Sequence, residues 1–206
     1  MSGPFELYYR EYDSWFEKNK NIYLSELNLI KSFISDGLNG LEIGVGSGRF
    51  AKPLGIKIGV EPSEKMAEMA QRRNLKVIKA FAEELPFENE SFDFALLVTT
   101  ICFLGEPLKA LKEAYRVIKS KGFILIGFVP LDSYLGEIYV AKKAASHFYK
   151  TAHFYTKEEV RNFLEEAGFK NQICRQTLFV NTNDYVQEYR EGDDRGGFIV
   201  IKGEKS

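Results

Sequence analysis

Cysteine, histidine and tryptophan are all scarce: 206 residues contain two, two and one of them. The two cysteines, Cys102 and Cys174, lie far apart inside apolar runs. That spacing excludes a disulfide framework and reads as two buried thiols in a reducing compartment. Only His147 and His153 offer imidazole, in one aromatic stretch, where each is either a base near neutral pH or a surface group bonded to backbone. The formal net charge is only -1, so no global field draws nucleic acid or an anionic membrane. No apolar run approaches the roughly 20 residues that span a bilayer, and the N-terminus has no basic region followed by an apolar stretch. Repeats and low-complexity tracts are also missing. These absences predict a cytoplasmic chain with no membrane partner and no metal; Asp193-Asp194 reads as a charged loop beside glycines.

What is present is an ordinary globular composition, 45% hydrophobic and 28% charged, in a length suited to one domain. The first 37 residues are patterned as helix, with Tyr23, Leu27, Ile30 and Ile34 forming a stripe that Gly37 ends. From Leu38 the rhythm changes. Short apolar strands are expected over 40–43, 57–60, 76–80, 92–99, 123–129, 172–180 and 197–202. Helices are expected near 48–53, 64–73, 107–118 and 157–167. Ser63 caps the second of these, Pro107 suits the first turn of the third, and Thr156 to Glu159 is a capping box closed by Gly168. Alternating strands and helices imply a parallel sheet with right-handed crossovers. The last two strands, joined by a long irregular loop over 181–196, form an antiparallel pair instead. The aromatic segment 130–155 fits no regular element and is expected to be an inserted lid.

Three glycines at alternate positions, Gly44, Gly46 and Gly48, follow the first strand. Glycine there lets the backbone turn sharply and approach a ligand without a Cβ in the way. The dinucleotide fingerprint needs a glycine three places after the second, where this chain has Arg49. A triphosphate loop needs Gly-Lys-Ser/Thr, where this chain has Gly48-Arg49-Phe50. Both common nucleotide readings therefore fit poorly. Glu61, ending the second strand, is placed to accept hydrogen bonds from both hydroxyls of a ribose.

Five segments then occur in a familiar order: Glu42 to Phe50, Gly59 to Ser63, Ala82 to Phe87, Ser91 to Asp93 and Arg116 to Gly122. Together they resemble the class I, Rossmann-like methyltransferases that use S-adenosylmethionine (SAM), in the small-molecule group similar to ubiquinone and menaquinone biosynthesis methyltransferases. The resemblance covers 38–129. It implies an α/β fold with a seven-stranded, mostly parallel sheet of order 3-2-1-4-5-7-6, strand 7 antiparallel, and helices on both faces. It also implies SAM as cofactor. By position, Gly44, Gly46 and Gly48 would wrap the methionine half, and Glu42 would sit near its amino group. Glu61 would hold the ribose, Met66 would line the adenine side, Ala82 and Glu83 would border adenine, and Thr99 would lie beside the methyl donor. Phe81 departs from the family, which has Asp there against the adenine amino group. Stacking and backbone contacts, or a neighbouring carboxylate, would have to replace it. The run from Tyr12 to Phe16 resembles a segment that folds over the cofactor cleft in related enzymes; the plainer reading is an amphipathic helix packed on the domain.

Methyl transfer depends mainly on positioning, so no strong catalytic signature is expected, and no catalytic residue is assigned. After the fourth strand the chain reads Thr99-Thr100-Ile101-Cys102, lacking both the Pro-Pro run of base-amino methyltransferases and the Pro-Cys of cytosine C5 enzymes. A small-molecule acceptor is expected, and no nucleic acid. The alternative is a SAM-binding regulatory or scaffold protein without catalysis.

Overall fold

The computed structural model describes residues 3–206; Met1 and Ser2, part of the expected N-terminal cap, lie outside them. Three helices open the chain: α1 (Pro4–Leu7), α2 (Tyr9–Lys18) and α3 (Lys20–Lys31). Strands and helices then alternate as β1 (Gly40–Ile43), β2 (Ile58–Val60), α4 (Glu64–Arg72), β3 (Lys76–Ile78), β4 (Phe92–Val98), α5 (Pro107–Val117) and β5 (Ile118–Phe128). The remainder is α6 (Tyr134–Lys142), α7 (Lys157–Glu166), β6 (Lys170–Thr177), β7 (Arg190–Glu191) and β8 (Phe198–Glu204). These strands form one sheet in the order β3-β2-β1-β4-β5-β8-β6-β7. Pairing is parallel from β3 to β5, and β8 runs antiparallel to both β5 and β6. The expected order therefore holds, with β8 as the reversed strand.

The sheet has eight strands, not seven. The extra one, β7, lies inside the stretch expected to be irregular and pairs antiparallel with β6 through Arg175↔Glu191 and Gln176↔Arg190. The Arg175 guanidinium holds the same Glu191 at 2.8 Å, so a side-chain pair reinforces a two-residue ladder.

Side chains of the central strands point alternately into two cores. Leu97, Ile124, Ile126 and Ile201 face α5 and α7. Leu96, Val98, Leu125 and Val200 face the N-terminal helices, where Leu29 and Ile30 of α3 are fully buried. The second face of the sheet is thus covered by helices from before β1. Cap signals act as read: Ser63 accepts the Met66 N–H, Pro107 opens α5, and Thr156 and Glu159 close a reciprocal capping box. The helix that the patterning ends at Gly37 stops earlier, at Lys31.

The helix expected over 48–53 is absent. The chain there makes successive turns, with Lys52 N–H on the Gly48 carbonyl at 3.3 Å and Ile56 N–H on that of Ala51 at 3.0 Å. Pro53 offers no N–H and disfavours helical geometry at Lys52, and Gly55 then turns at φ 75°. No regular helix therefore aims a row of amides at the glycine loop. The segment expected as a shapeless lid is ordered, with α6 and two short 3-10 turns, Lys143–Ala145 and Tyr149–Thr151.

Candidate active site

The carboxyl ends of the parallel strands converge on the glycine loop. Gly44, Gly46 and Gly48 all have left-handed backbone, at φ 74°, 52° and 82°. Their surroundings differ. A Cβ at Gly44 would meet Thr100 at 2.5 Å, and one at Gly48 would meet Leu75 at 2.5 Å. At Gly46 the nearest atoms are Met66 and Tyr12, beyond 3.5 Å. Gly44 and Gly48 are therefore packing glycines, whereas Gly46 would keep only ordinary contacts with Met66 and Tyr12, at the edge of the space beneath Tyr12.

Two buried carboxylates flank that space. Glu61, just past β2, accepts the Gly46 N–H on Oε2 and the Ser63 N–H on Oε1, both at 2.9 Å. Burial nevertheless raises its pKa. Glu42, on β1, is 2% exposed and its Oε2 has no hydrogen-bond partner among the described residues. Burial holds its pKa well above the carboxylate range; a bond from the Ala51 N–H opposes this, and the Glu61 charge adds to it. A buried carboxyl with an unpartnered oxygen is costly unless something supplies a donor or a positive charge.

The N-terminal helices roof this space. Tyr12 lies over Gly46 and shares the lining of a cleft with Glu42, Gly44, Ser47 and Arg49. Its neighbour Asp13 binds two arginines: Arg49 Nη2 at 2.7 Å and Arg73 Nη2 at 2.9 Å. These bonds hold the Asp13 carboxyl at about 2 against the cost of its burial. Arg73 also donates to the Ser47 carbonyl at 2.7 Å, tying helix, loop and roof together. Further out, Glu6 accepts from Ser63 Oγ at 2.7 Å. Phe5 packs on both Phe103 and Phe148, and Tyr8 stacks on His147 at 4.4 Å.

A second, small apolar pocket, partly open to solvent, lies beside the first. Its walls include Thr99, Ile101, Cys102, Tyr139, Tyr149 and Phe154. Thr99, immediately after β4, has φ 49°, a conformation that a β-branched residue adopts only under constraint. Thr99 also lies near the Tyr12 hydroxyl, which belongs to the first space. Burial raises the Cys102 thiol to about 12, which leaves it unreactive in the pocket wall.

A methyltransferase domain model matches residues 41–126 of the chain. An uncharacterised protein of Methanocaldococcus jannaschii is 49% identical over 98% of both chains. The solved structure of a SAM-dependent methyltransferase of Thermotoga maritima, described as a possible histamine N-methyltransferase, is 47% identical. It superposes with a TM-score of 0.96, covering 98% of this chain and 99% of that one. The chain belongs to the SAM-dependent methyltransferases. A demethylmenaquinone methyltransferase of Staphylococcus aureus is a more distant relative, 27% identical over 69% of this chain and 72% of its own. The protein is a class I methyltransferase, and its cofactor is SAM.

The residues expected to serve the methyltransferase site fall into two groups. Glu42, Gly46, Glu61 and Met66 gather around the roofed space, with Gly44 in its wall and Gly48 behind, and Thr99 lines the apolar pocket beside it. The remaining two have other partners or surroundings: Ala82 is buried in the core, and Glu83 Oε1 accepts the N–H groups of Gly105 and Glu106 at 3.0 and 3.3 Å. Phe81 is 68% exposed. Both histidines are exposed: His147 meets Tyr8, and the His153 backbone donates to the Cys102 carbonyl at 2.7 Å. Asp193 pairs with Arg161 at 2.6 Å, and Asp194 accepts from Gln176. The sequence pattern singled out neither Glu26 nor Tyr139, and it marked Tyr149 only as an aromatic of the expected lid. The signal for Glu26 was present: a carboxylate four residues from both Ile22 and Ile30, on the buried face of α3.

Proposed function

We propose that this methyltransferase modifies a small organic acceptor held in the aromatic pocket beside Thr99, with SAM in the space under Tyr12. When bound, SAM supplies an electrophilic methyl group on a sulfonium centre. The unpartnered Oε2 of Glu42 carries the cofactor part of this reading. An amino-acid ammonium would give that oxygen a donor and would restore the ionised form that burial disfavours. Glu61 would receive ribose hydroxyls, exchanging or sharing the Gly46 N–H it now holds. Met66 and Gly46 would contact the sugar and adenine side. Ala82 would border adenine, and Glu83 would contribute through its backbone, since its carboxylate already caps Gly105 and Glu106. With Phe81 so exposed, stacking on its ring is the one role it offers.

The chain reads as one domain over 1–206, with helices from 1–37 as cap and 130–155 as lid over the acceptor. Thr99 and Tyr12, at the junction, would orient donor and acceptor, and the apolar walls would exclude water. No nucleic-acid or membrane partner belongs to this reading. Calorimetry with S-adenosylhomocysteine tests the cofactor site: binding that Glu42→Gln weakens supports it, and binding indifferent to that change overturns it. Release of S-adenosylhomocysteine across amines, phenols, quinones and carboxylates tests the acceptor. The description of the Thermotoga neighbour makes amines the first arm.

A further inference from the structure

The apolar pocket beside Thr99 is built largely from rings. Five of its nine lining residues are aromatic: Phe128 from the end of β5, Tyr139 from α6, Tyr149 from the turn at Tyr149–Thr151, and Phe154 and Tyr155 from the run that leads into α7. Ile101, Cys102 and Val129 complete the apolar wall, and no charged side chain belongs to it. Tyr139, Tyr149 and Phe154 form a mutual trio, with ring centroids 5.2, 5.7 and 6.3 Å apart. The walls are also tied to one another. The His153 N–H donates to the Cys102 carbonyl at 2.7 Å, and the Leu131 N–H donates to that of Tyr155 at 2.8 Å. Phe103 stacks on Tyr149, and Phe163 meets Tyr155 edge to face.

Such a wall treats charge and shape differently. An ion entering it would give up hydration and find no side chain of opposite sign. Burial pushes the Cys102 thiol up to about 12 and raises the hydroxyls of Tyr139, Tyr149 and Tyr155, so all four groups are neutral at pH 7. The ring faces offer a cation little in return, because Tyr139 and Phe154 meet at 67° and one of those faces is turned to the other's edge. A flat, uncharged ring fits instead, since it can take the tilted and edge-to-face arrangements that the trio already shows. Polar recognition needs no charge here. The Tyr23 and Tyr134 hydroxyls donate to backbone carbonyls, whereas those of Tyr139 and Tyr149 have no partner among the described residues.

We infer that the methyl acceptor is an uncharged aromatic molecule, its ring held by Tyr139, Tyr149 and Phe154 and a lone pair of its oxygen or nitrogen held by a tyrosine hydroxyl. This rests on the reading that the acceptor enters the pocket beside Thr99. An amine acceptor therefore enters as its free base, having left its proton in solvent, and a phenol enters with its proton in place.

Four probes of similar size that differ in charge or in ring provide the test: benzyl alcohol, benzylamine, benzoate and cyclohexylmethanol, titrated calorimetrically at pH 7 into protein saturated with S-adenosylhomocysteine. Benzyl alcohol is expected to bind tenfold or more tightly than benzylamine or benzoate, and at least threefold more tightly than cyclohexylmethanol. Tyr149→Leu, which removes a ring and a hydroxyl, is expected to erase the advantage over cyclohexylmethanol. Cys102→Phe, which fills the pocket, is expected to block all four. S-adenosylhomocysteine affinity within twofold of the unaltered protein shows that each variant is folded. Benzyl alcohol that fails to bind, or binds no tighter than either ion, overturns the inference; a preference for benzylamine would make the ring faces a cation site instead. Equal binding of benzyl alcohol and cyclohexylmethanol overturns its aromatic half. Benzyl alcohol binding indifferent to both variants overturns instead the location of the acceptor pocket.

Discussion

Glu42 and Glu61 are both acidic and both buried, yet they stand in opposite conditions. Glu61 has two N–H donors already, and Glu42 has an oxygen with none. Glu42→Gln should therefore weaken S-adenosylhomocysteine about 10- to 100-fold, the worth of a charge-assisted bond of about 1.5–3 kcal/mol. Its melting temperature should not fall, since burial already disfavours the ionised form in the empty site and the amide is nearly isosteric with the protonated carboxyl. Calorimetry and a thermal melt read the two effects separately. The glycines divide in the same way. Gly44→Ala and Gly48→Ala force a Cβ against Thr100 and Leu75, so both should lower thermal stability markedly. Gly46→Val meets no such wall and should chiefly abolish cofactor binding, with a smaller loss of stability from its positive φ. Equal melting temperatures across the three would contradict this division. The sequence pattern marked all three glycines but could not separate them, because the difference lies in Thr100 and Leu75, which reach the loop from other elements.

At the scale of elements, the latch between α2 and the glycine loop has a definite pH signature. Asp13 sits near 2 when folded, against a reference of 3.8, so its stabilising contribution is complete above about pH 4 and lost as pH falls toward 2. The shift corresponds to about 2 kcal/mol. Asp13→Asn should remove that acid-side slope from chemical denaturation curves and should speed the release of S-adenosylhomocysteine, since Arg49 and Arg73 lose their common partner. An unchanged off-rate would detach the roof from the cofactor. Elements with local signatures were legible: the caps of α4, α5 and α7 involve residues within one turn of each other. α6 was not, because Tyr134 to Val140 is apolar nearly all round and carries no helical rhythm. β7 is two residues long and exists through its pairing with β6, a contact no periodicity announces.

For the molecule as a whole, ligand and pH should move stability in predictable directions. S-adenosylhomocysteine at about 100 times its dissociation constant adds about 2.7 kcal/mol, which for a chain of this size raises Tm by about 5–10 °C. Glu26 acts the other way. Its folded pKa of about 8 exceeds the reference of 4.5, so the folded state holds the extra proton between those values. Stability from this group should therefore fall as pH rises from 4.5 through 8, and Glu26→Gln should flatten that slope in melts taken across the range. The order of the parallel strands and the reversed β8 were legible because alternation and the ordered motifs are properties of the whole chain. The apolar pocket proposed for the acceptor was not, since its walls come from the turn after β4, from β5, from α6 and from the turns beyond, and meet only after folding.

The shared roof has a kinetic consequence. Phe5 of α1 packs against both Phe103 and Phe148, while Tyr12 of α2 packs on the same Phe5 and Phe148 rings and covers Gly46. The spaces proposed for donor and acceptor would then share one ceiling, and a displacement that uncovers one would uncover the other. Departure of the spent cofactor and departure of the methylated product then become a single event. Turnover under saturating substrates should follow the frequency of that event, rising when Asp13 is neutralised and slowing in viscous solvent, with the bond-making step left unaltered.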